Sequence, residues 1–448
     1  MSLDSIYDAS PVWMQNLMCS VKGWMIQRRR YGKQFQEELS RYHAGFYNQE
    51  KELIDFLDAV KDVEAYKGII TKDDIILCRK EKGHVYQLIA QFPIIGKIEV
   101  KTHIKDYENT TFTGEKIEMR TSGTTGSGLI FPYSVDMENK QWAIWWNYRV
   151  GLGLSLDTWC GWFGGKKMIS LDSKNPPFWR INKPGRQVMF SSDHLTENTV
   201  KIFCDEIVRR NLTWLHGYPS HIARLAALMI KTGCKPIECV TTVTTGAENV
   251  LGNQVELVKK AFPKAIMRQH YGLNEGVANI SQNREGEWKV DDQFCYVEFI
   301  PVEKGSNVCH IVGTGFSNYA FPLIRYDTGD LATVEWNTDG TVSKILSIDG
   351  RSSNFILQPD GTQIGEARLS IFLHDYLCID EAQFHQDSPN EVDLWIVKGT
   401  GYSEDVERDI YEKAKLWFDP RLSFHIVYVN KVERTKSGKL KLVVSEIQ

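Results

Sequence analysis

The first 75 residues carry apolar side chains at helical spacing. Trp13, Leu17 and Trp24 recur at steps of four and seven residues, and Leu53 and Phe56 continue the pattern. Steps of three, four and seven bring side chains to one face of an α-helix. We therefore predict a mostly helical N-terminal segment.

From about residue 160 the pattern alternates between two periods. The amphipathic run "SHIARLAALMIKTG" (220–233) precedes the β-branched run "ECVTTVTTG" (238–246). Helices alternating with short apolar strands are typical of α/β layers. For the helix in this pair, Ser220 is the expected N-cap and Gly233 the expected residue after its C-terminus.

The pattern changes again near Asp349-Gly350-Arg351. Before this point, "TVEWNTDGTVSKILSI" predicts two strands joined by an Asp-Gly turn, and after it "NFILQPDGTQIG" predicts a small hairpin. An apolar helix, further strands and a helix at 403–417 follow. We predict an α/β fold with two domains: a large N-terminal domain of layered sheets and helices, 1–349, and a small mobile α+β C-terminal domain, 350–448.

Composition narrows the class of protein. Hydrophobic residues make up 42% of the 448 residues and charged residues 25%, which is typical of globular proteins. The net charge is −4, whereas nucleic-acid binders usually carry a basic excess, so a nucleic-acid partner is not expected. Nine scattered cysteines without a C-x-x-C pair favour reduced thiols, and neither a membrane span nor an export signal is visible. We expect a cytoplasmic protein.

The basic cluster Arg28-Arg29-Arg30 follows the apolar residues Trp24, Met25 and Ile26. Two interpretations remain open for it. A solvated helix end beside an apolar face is favoured over a helix that lies on a membrane surface.

A stretch of small and hydroxylated residues, "TSGTTGSG" (121–128), precedes an apolar run. Glycines let successive N–H groups converge on one point, and hydroxyls add donors there, which suits a polyphosphate. A surface loop without a ligand has the same composition. The P-loop of common NTPases is excluded because its lysine is absent.

Further stretches follow in a fixed order: "TTGAENV" (244–250), "HYGLNEG" (270–276), "RYDTGD" (325–330), "IDGR" (348–351) and "RTKSGKL" (434–440). Together with the loop, their order and separation resemble the signature set of the adenylate-forming enzymes, the superfamily of acyl-CoA synthetases, luciferases and peptide-synthetase adenylation domains. The chain resembles the phenylacetate–CoA ligase branch, and within it the capsular polysaccharide biosynthesis or coenzyme F390 synthetase-like subgroup. "WLHGYPSHIARLA" (214–226) and "FSNYAFPLIRYDTGD" (316–330) carry this finer resemblance.

The resemblance implies ATP as substrate, Mg²⁺ as cofactor, a small carboxylic acid as partner, and CoA as one possible acyl acceptor. Lys439 would be the catalytic cation, and Glu275 would ligate Mg²⁺. Asp330 and Arg351 would contact the ribose, and Ser352 or Ser353 would form the hinge. The implied phosphate-binding residues are Thr121, Ser122, Gly123, Thr124, Thr125, Gly126 and Ser127; the implied adenine and α-phosphate contacts are Gly246, Ala247, Glu248, Tyr271, Gly272 and Asn274.

The sequence gives less information about the acyl pocket than about the nucleotide site. Four residues are candidates for its wall: Trp162, Phe163, His216 and Tyr218. The sequence leaves the reaction itself open between three classes. The first is acid activation as an acyl-adenylate, with transfer to CoA, a sugar amine or a sugar hydroxyl. The second is a nucleotidyltransferase that places AMP on a hydroxyl, and the third is a binding protein without catalysis.

Overall fold

A computed structural model of the protein describes residues 3–121, 128–165, 167–351, 354–435, 438–445 and 447. The predicted loop residues Ser122, Gly123, Thr124, Thr125, Gly126 and Ser127 lie outside the described residues, as do the predicted hinge residues Ser352 and Ser353.

Helices and strands follow the predicted order. The helices are α1 (Leu3–Ala9), α2 (Val12–Arg30), α3 (Lys33–His43), α4 (Gln49–Val60), α5 (Lys72–Lys80), α6 (His84–Ala90), α7 (Lys97–Thr102), α8 (Val135–Gly151), α9 (Val200–Arg209), α10 (Pro219–Lys231), α11 (Gly252–Ala261), α12 (Glu366–Leu373) and α13 (Glu404–Trp417). Short 3₁₀ turns cover Glu64–Tyr66 and Ser192–His194.

The strands are β1 (Lys116–Arg120), β2 (Ile130–Ser134), β3 (Cys160–Phe163), β4 (Trp179–Asn182), β5 (Gln187–Phe190), β6 (Trp214–Gly217), β7 (Thr242–Gly246), β8 (Ile266–Gly272), β9 (Asn279–Gln282), β10 (Trp288–Val290), β11 (Cys295–Pro301), β12 (Val308–Gly315), β13 (Leu323–Trp336), β14 (Val342–Arg351), β15 (Phe355–Leu357), β16 (Gln363–Gly365), β17 (Ile379–Ser388), β18 (Glu391–Lys398), β19 (Ser423–Tyr428) and β20 (Val443–Ser445).

The chain forms two compact units, each made of several segments. The first unit contains residues 1–24, 157–269 and 349–448, and the second contains 25–156 and 270–348. The predicted division into domains 1–349 and 350–448 stays a prediction, and so does the mobility of the second. The α/β fold class itself is confirmed.

The first unit contains a mostly parallel sheet. Strand β3 pairs in parallel with β5 and β6, β6 pairs in parallel with β7, and β4 closes the edge antiparallel to β5. The apolar faces of α9, α10 and α11 contribute Phe203, Leu225 and Leu257 to the core that also buries these strands. Loops at the carboxyl ends of parallel strands therefore collect at one edge, as in α/β proteins that bind ligands there.

The same unit includes the small α+β part after residue 349. Strands β17 and β18 are antiparallel, while β19 and β20 flank them in parallel. Its core includes Phe372, Phe384 and Leu394, together with Leu251, the residue just before α11. The predicted hairpin after residue 351 is present as β15 and β16.

The second unit is built on an antiparallel sheet and helices. Strands β11, β12 and β13 form a meander, and β13 is joined to β14 by the predicted turn at Asp339-Gly340. Strand β10 pairs with both β9 and β14. The hairpin β1–β2 leads directly into α8, whose N-cap Ser134 accepts a hydrogen bond from the N–H of Met137.

One sequence expectation needs correction, and one motif has a structure that its local composition does not favour. Helix α10 begins at Pro219, so Ser220 lies inside its first turn and is not the N-cap. The segment Asp327–Asp330 lies within strand β13, although its composition is typical of a turn. In both places a contact from elsewhere in the chain outweighs local preference: Glu248 accepts the Ser220 N–H, and the partner strand β12 shifts register beside Asp327.

Gly350 lies near the end of β14, where the neighbouring side chains leave no room for a Cβ atom. Its φ is +80°, and a Cβ there would lie 2.4 Å from Glu366 Oε2 and 2.6 Å from Asn249 Nδ2. Because Glu366 is buried and accepts hydrogen bonds from Asn249 and Asn354, it cannot move away without losing them. We expect Gly350→Ala to lower the free energy of unfolding by about 2–4 kcal/mol in urea titrations.

Gly361→Ala is the matched control, because Gly361 also has a positive φ, +86°, but nothing lies near its Cβ position. This substitution carries only backbone strain, about 1 kcal/mol. Equal destabilisation by the two alanines would show that the crowding around Gly350 is relieved without cost.

Candidate functional site

The end of strand β7 carries the predicted adenine-binding segment. Gly246 is the last residue of the strand, and Ala247 follows with a φ of +69°. A left-handed backbone is uncommon for alanine and is retained where the surroundings enforce it. The chain thereby turns sharply, and Glu248 comes next.

The carboxylate of Glu248 joins two other elements of the first unit. Its Oε2 accepts a hydrogen bond from the backbone N–H of Ser220 in the first turn of α10, at 3.2 Å. Its Oε1 accepts one from the N–H of Leu440, at 2.6 Å. The loss of water around the carboxyl raises the pKa of Glu248 above its ordinary value, against the lowering effect of these donors and of Arg434. Glu248 therefore links the end of β7, the start of α10 and the segment that carries Lys439.

Arg434 adds a second link between the same elements. Its guanidinium donates to Ser220 Oγ at 2.7 Å, to Glu381 Oε1 at 2.8 Å and to the backbone oxygen of Gly438 at 3.3 Å. Glu381 is buried on β17 and lies 3.8 Å from the guanidinium of Arg224 on α10 as well. One arginine thus bonds the lysine segment to helix α10 and to the sheet of the small α+β part.

His221 lies under this segment and is kept neutral. Its Nδ1 is 2.9 Å from Ser192 Oγ and 3.3 Å from the backbone oxygen of Phe163. Burial, helped by the positive charge of Arg434, lowers the pKa of His221 to about 3. A buried imidazole beside a guanidinium remains uncharged at neutral pH.

Lys439 lies at the edge of this cluster, where it is bonded to Thr435; Thr435, Gly438 and Lys439 are the described residues of what we call the lysine turn. The N–H of Thr435 donates to the Lys439 oxygen at 2.9 Å, and the Lys439 N–H donates to Thr435 Oγ1 at 3.1 Å. Gly438 has a φ of +81°, and a Cβ there would lie 2.8 Å from the Cα of Gly165. The turn therefore packs backbone against backbone at the end of β3, and a side chain at position 438 would separate the two.

The predicted pocket residues lie on β3, on β6 and at the start of α10. His216 Nδ1 lies 2.9 Å from Thr244 Oγ1, and the Tyr218 N–H donates to the Phe163 oxygen. Phe163 is fully buried and stacks on Phe190, so its side chain packs in the core. Trp162 is half-buried beside Gly164. The structure brings these four residues to the same edge as Glu248, and their contact with a substrate stays a prediction.

In the second unit, Thr121 closes the base of the predicted phosphate loop. Its N–H donates to the Leu129 oxygen, and its Oγ1 accepts from the Leu129 N–H, both at 2.9 Å. The two ends of the stretch are thereby bonded to each other. Asn274 Nδ2 donates to the oxygen of Arg120, next to Thr121, at 3.2 Å. The predicted α-phosphate contact thus lies beside the first residue of the predicted phosphate loop.

Tyr271 and Asp330, predicted to contact adenine and ribose, are directly bonded. The Tyr271 hydroxyl donates to Asp330 Oδ2 at 2.8 Å. Tyr271 and Gly272 are the last residues of β8, and Glu275 follows three positions later with only 8% of its surface exposed. Two motifs separated by more than fifty residues thus meet here, and their contacts with a nucleotide stay a prediction.

The predicted site residues fall into two groups that lie in different units. Gly246, Ala247, Glu248, Lys439 and the pocket candidates belong to the first unit, as does Arg351, the last residue of β14. Thr121, Tyr271, Gly272, Asn274, Glu275 and Asp330 belong to the second.

Three residues at the site escaped the sequence analysis: His221, Glu381 and Arg434. Arg434 opens the quoted stretch "RTKSGKL" and His221 lies within "WLHGYPSHIARLA", so nearness to a motif was the only available signal for both. Glu381 lies in no motif.

The pKa of His221 predicts a specific pH dependence of stability. Below the unfolded value of 6.5 the unfolded chain takes up a proton that folded His221, with a pKa of about 3, does not bind. The free energy of unfolding therefore decreases as the pH is lowered, by about 2 kcal/mol from about pH 7.5 to about pH 5. We expect His221→Asn to remove this part of the dependence in urea titrations over that range. If native protein and variant show parallel curves, His221 already takes up a proton in the folded state.

Comparison with known proteins agrees with this architecture. Residues 356–446 match the family described as the CapK C-terminal domain. Protein CapK of Staphylococcus aureus is 26% identical over 461 aligned positions, which cover the whole of both chains.

Solved structures share the fold. Two structures of 2-hydroxyisobutyryl-CoA ligase in the postadenylation state, with 2-HIB-AMP and with R3-HIB-AMP, superpose with TM-scores of 0.65 and 0.63 at 13% identity, covering 89% of each chain. The anthranilate CoA ligase AuaEII with anthranoyl-AMP gives a TM-score of 0.52 at 13% identity, over 72% of this chain and 65% of that one. The chain is thus similar to CapK over its entire length, matches the CapK C-terminal domain at residues 356–446, and shares its fold with 2-hydroxyisobutyryl-CoA ligase.

Proposed function

We propose that this protein activates a small carboxylic acid with ATP as an acyl-adenylate and then transfers the acyl group to a nucleophile. The observation that carries the proposal is the set of bonds from Glu248 and Arg434 to the segment of Lys439. These bonds position a lysine-bearing turn against the segment that the resemblance assigns to adenine. The fold, shared with ligases whose structures contain acyl-AMP, supports the same reaction.

In the first step a carboxylate oxygen bonds to the α-phosphorus of ATP, and the bond from that phosphorus to pyrophosphate breaks. Negative charge accumulates on the phosphate oxygens, so the reaction needs positioning and positive charge. Lys439 supplies the charge, because a lysine ammonium is a compact cation on a flexible stem. Thr435, Arg434 and Glu248 hold the backbone on either side of it.

Mg²⁺ would be held by Glu275, and it would neutralise charge on the leaving phosphates. Among the described residues, no three His, Cys, Asp or Glu side chains are grouped as a metal-binding cage. Mg²⁺ bound through substrate phosphates needs only one or two protein carboxylates, and the buried Glu275 fits this chemistry.

The ribose and the base would lie against the pair formed by Tyr271 and Asp330. An aromatic ring offers a flat surface to adenine, and a carboxylate accepts hydrogen bonds from ribose hydroxyls. Because the Tyr271 hydroxyl donates to Asp330, the carboxylate is fixed in orientation before a ligand arrives.

Two nucleophiles are candidates for the acceptor of the acyl group. CoA is one candidate. Similarity to CapK over the whole chain favours a second, a sugar amine or hydroxyl used in capsule assembly. Release of AMP from the enzyme-bound acyl-adenylate on addition of CoA or of an amino sugar distinguishes the two.

Lys439 provides the direct test of the first step. We expect acid-dependent exchange between ATP and pyrophosphate, and a loss of about 10²–10³-fold in Lys439→Ala, because one cation that faces developing charge is removed. A panel of aryl, fatty and amino acids identifies the active substrate, and the exchange is followed with labelled pyrophosphate.

Lys441→Ala is the matched control, since it removes a nearby lysine from the same segment; the backbone oxygen of Lys441 accepts a hydrogen bond from Gln383, which the substitution leaves in place. Its exchange rate should stay close to that of the native protein. No exchange with any acid, or equal rates in both alanine variants, would contradict acyl-adenylate formation with Lys439 as its cation.

Arg434 is predicted to be a positioning residue. Arg434→Gln loses the charged bond to Glu381 and shortens the reach to Gly438, so the turn of Lys439 is held less firmly. We expect kcat of the exchange to fall about tenfold, while KM for ATP changes little, because Arg434 acts through the lysine turn. Arg434→Lys should recover part of the rate, and a rise in KM without a change in kcat would instead place Arg434 in substrate binding.

A further inference from the structure

Helix α2 has its apolar side chains on the outside. Trp13 is 68% exposed, Leu17 55%, Val21 51% and Trp24 52%. The other exposed apolar residues of this helix are Val12, Met14 and Met25. Single exposed apolar side chains are common, but a group containing two tryptophans marks an interaction surface.

These residues form a continuous stripe. From Trp13 the steps to Leu17, Val21, Trp24 and Arg28 are four, four, three and four residues, so all five lie on one helical face. At 1.5 Å per residue the stripe is about 22 Å long. It ends in an exposed cation.

The side of α2 that contacts the protein carries mainly polar side chains. Gln15 accepts a hydrogen bond from Arg180 at 2.5 Å, and Asn16 accepts one from the N–H of Ile181 at 2.9 Å. The Ser20 hydroxyl donates to the Ile181 oxygen at 3.2 Å. These bonds give hydrogen-bond partners to the Arg180 side chain and to the backbone of Ile181 on β4, the edge strand of the sheet. The apolar stripe is therefore turned away from the core by the contacts that fix the helix.

Charge determines what can cover the stripe. Helix α2 contains Lys22, Arg28, Arg29 and Arg30 and no acidic residue, in a chain whose net charge is −4. Arg29 and Arg30 bond Glu138, and Lys22, Arg28 and Arg29 are exposed. A second copy of the same helix would bring these cations against one another. An anionic surface complements them.

We propose that helix α2 binds the surface of an anionic membrane, with Trp13, Leu17, Val21 and Trp24 entering the headgroup region. Exposed tryptophans beside lysine and arginine are typical of helices that lie in the membrane interface. The helix lies flat on the bilayer and does not cross it, because its polar face stays bonded to β4. In the described part of the chain, no helix is long and apolar enough to span a bilayer.

Flotation of the full chain with lipid vesicles tests the proposal. We expect binding to vesicles of equal parts phosphatidylglycerol and phosphatidylcholine, and little binding to phosphatidylcholine alone. Replacing both Trp13 and Trp24 with Ser should weaken vesicle binding at least about tenfold, because apolar burial is lost. Arg28→Ala should weaken it about fivefold through the loss of one charge contact.

Phe46→Ser is the matched control, since Phe46 is 77% exposed but lies outside α2; its vesicle binding should equal that of the native protein. If the double Trp variant fails to fold, Leu17→Gln tests the same stripe. Three results would overturn the proposal: no binding to anionic vesicles, equal binding to both vesicle types, or a native dimer that the stripe variants dissociate. The assay contains no substrate, so its outcome is independent of the exchange assay.

Discussion

The first unit depends on one carboxylate with two backbone donors. Glu248 accepts the Ser220 N–H from the first turn of α10 and the Leu440 N–H from the segment of Lys439. The first turn of any helix has N–H groups without intrahelical partners, and a carboxylate placed there is favoured by the helix dipole. Helix α10 therefore needs no capping side chain from the adjacent residues, because Glu248, distant in the sequence, accepts the N–H of Ser220. The carboxylate that completes the helix with one oxygen holds the segment of Lys439 with the other.

The charges around this carboxylate form a consistent arrangement. Arg434 lies among Glu381, Glu248 and the neutral His221, so the positive charge is balanced by two carboxylates without a proton on the imidazole. Each group has partners on different elements, and removal of one member leaves the others in a region with little water. Such networks specify one arrangement of the backbone when every member is satisfied. Here the arrangement specified is that of the Thr435–Lys439 turn.

The sequence predicted the layers of the fold and the order of its motifs, but not the contacts that join them. Helix period and β-branched runs placed α10, β7 and the hairpin after residue 351 correctly, because side-chain periodicity reflects local geometry. The bond between Tyr271 and Asp330 was not predicted, since periodicity carries no information about pairs so distant and the resemblance assigns each residue only to a part of the nucleotide. His221 and Glu381 escaped the analysis for a related reason: a histidine in a helix and an acid in a strand are common, and only burial beside Arg434 gives them a role.

Helix α2 shows the limit of such inference most clearly. Its apolar period correctly predicted a helix, yet period alone does not say which face the protein covers. The cluster Arg28-Arg29-Arg30 was interpreted as a solvated end beside an apolar face, with a membrane-surface helix as the less favoured alternative. Tertiary contacts set the orientation of the helix: Asn16 and Ser20 bond the backbone of Ile181 on edge strand β4, and Gln15 bonds the side chain of Arg180. Because an edge strand has unpaired backbone groups, the polar side chains that bond it hold one side of α2 against β4, and Trp13 and Trp24 remain exposed.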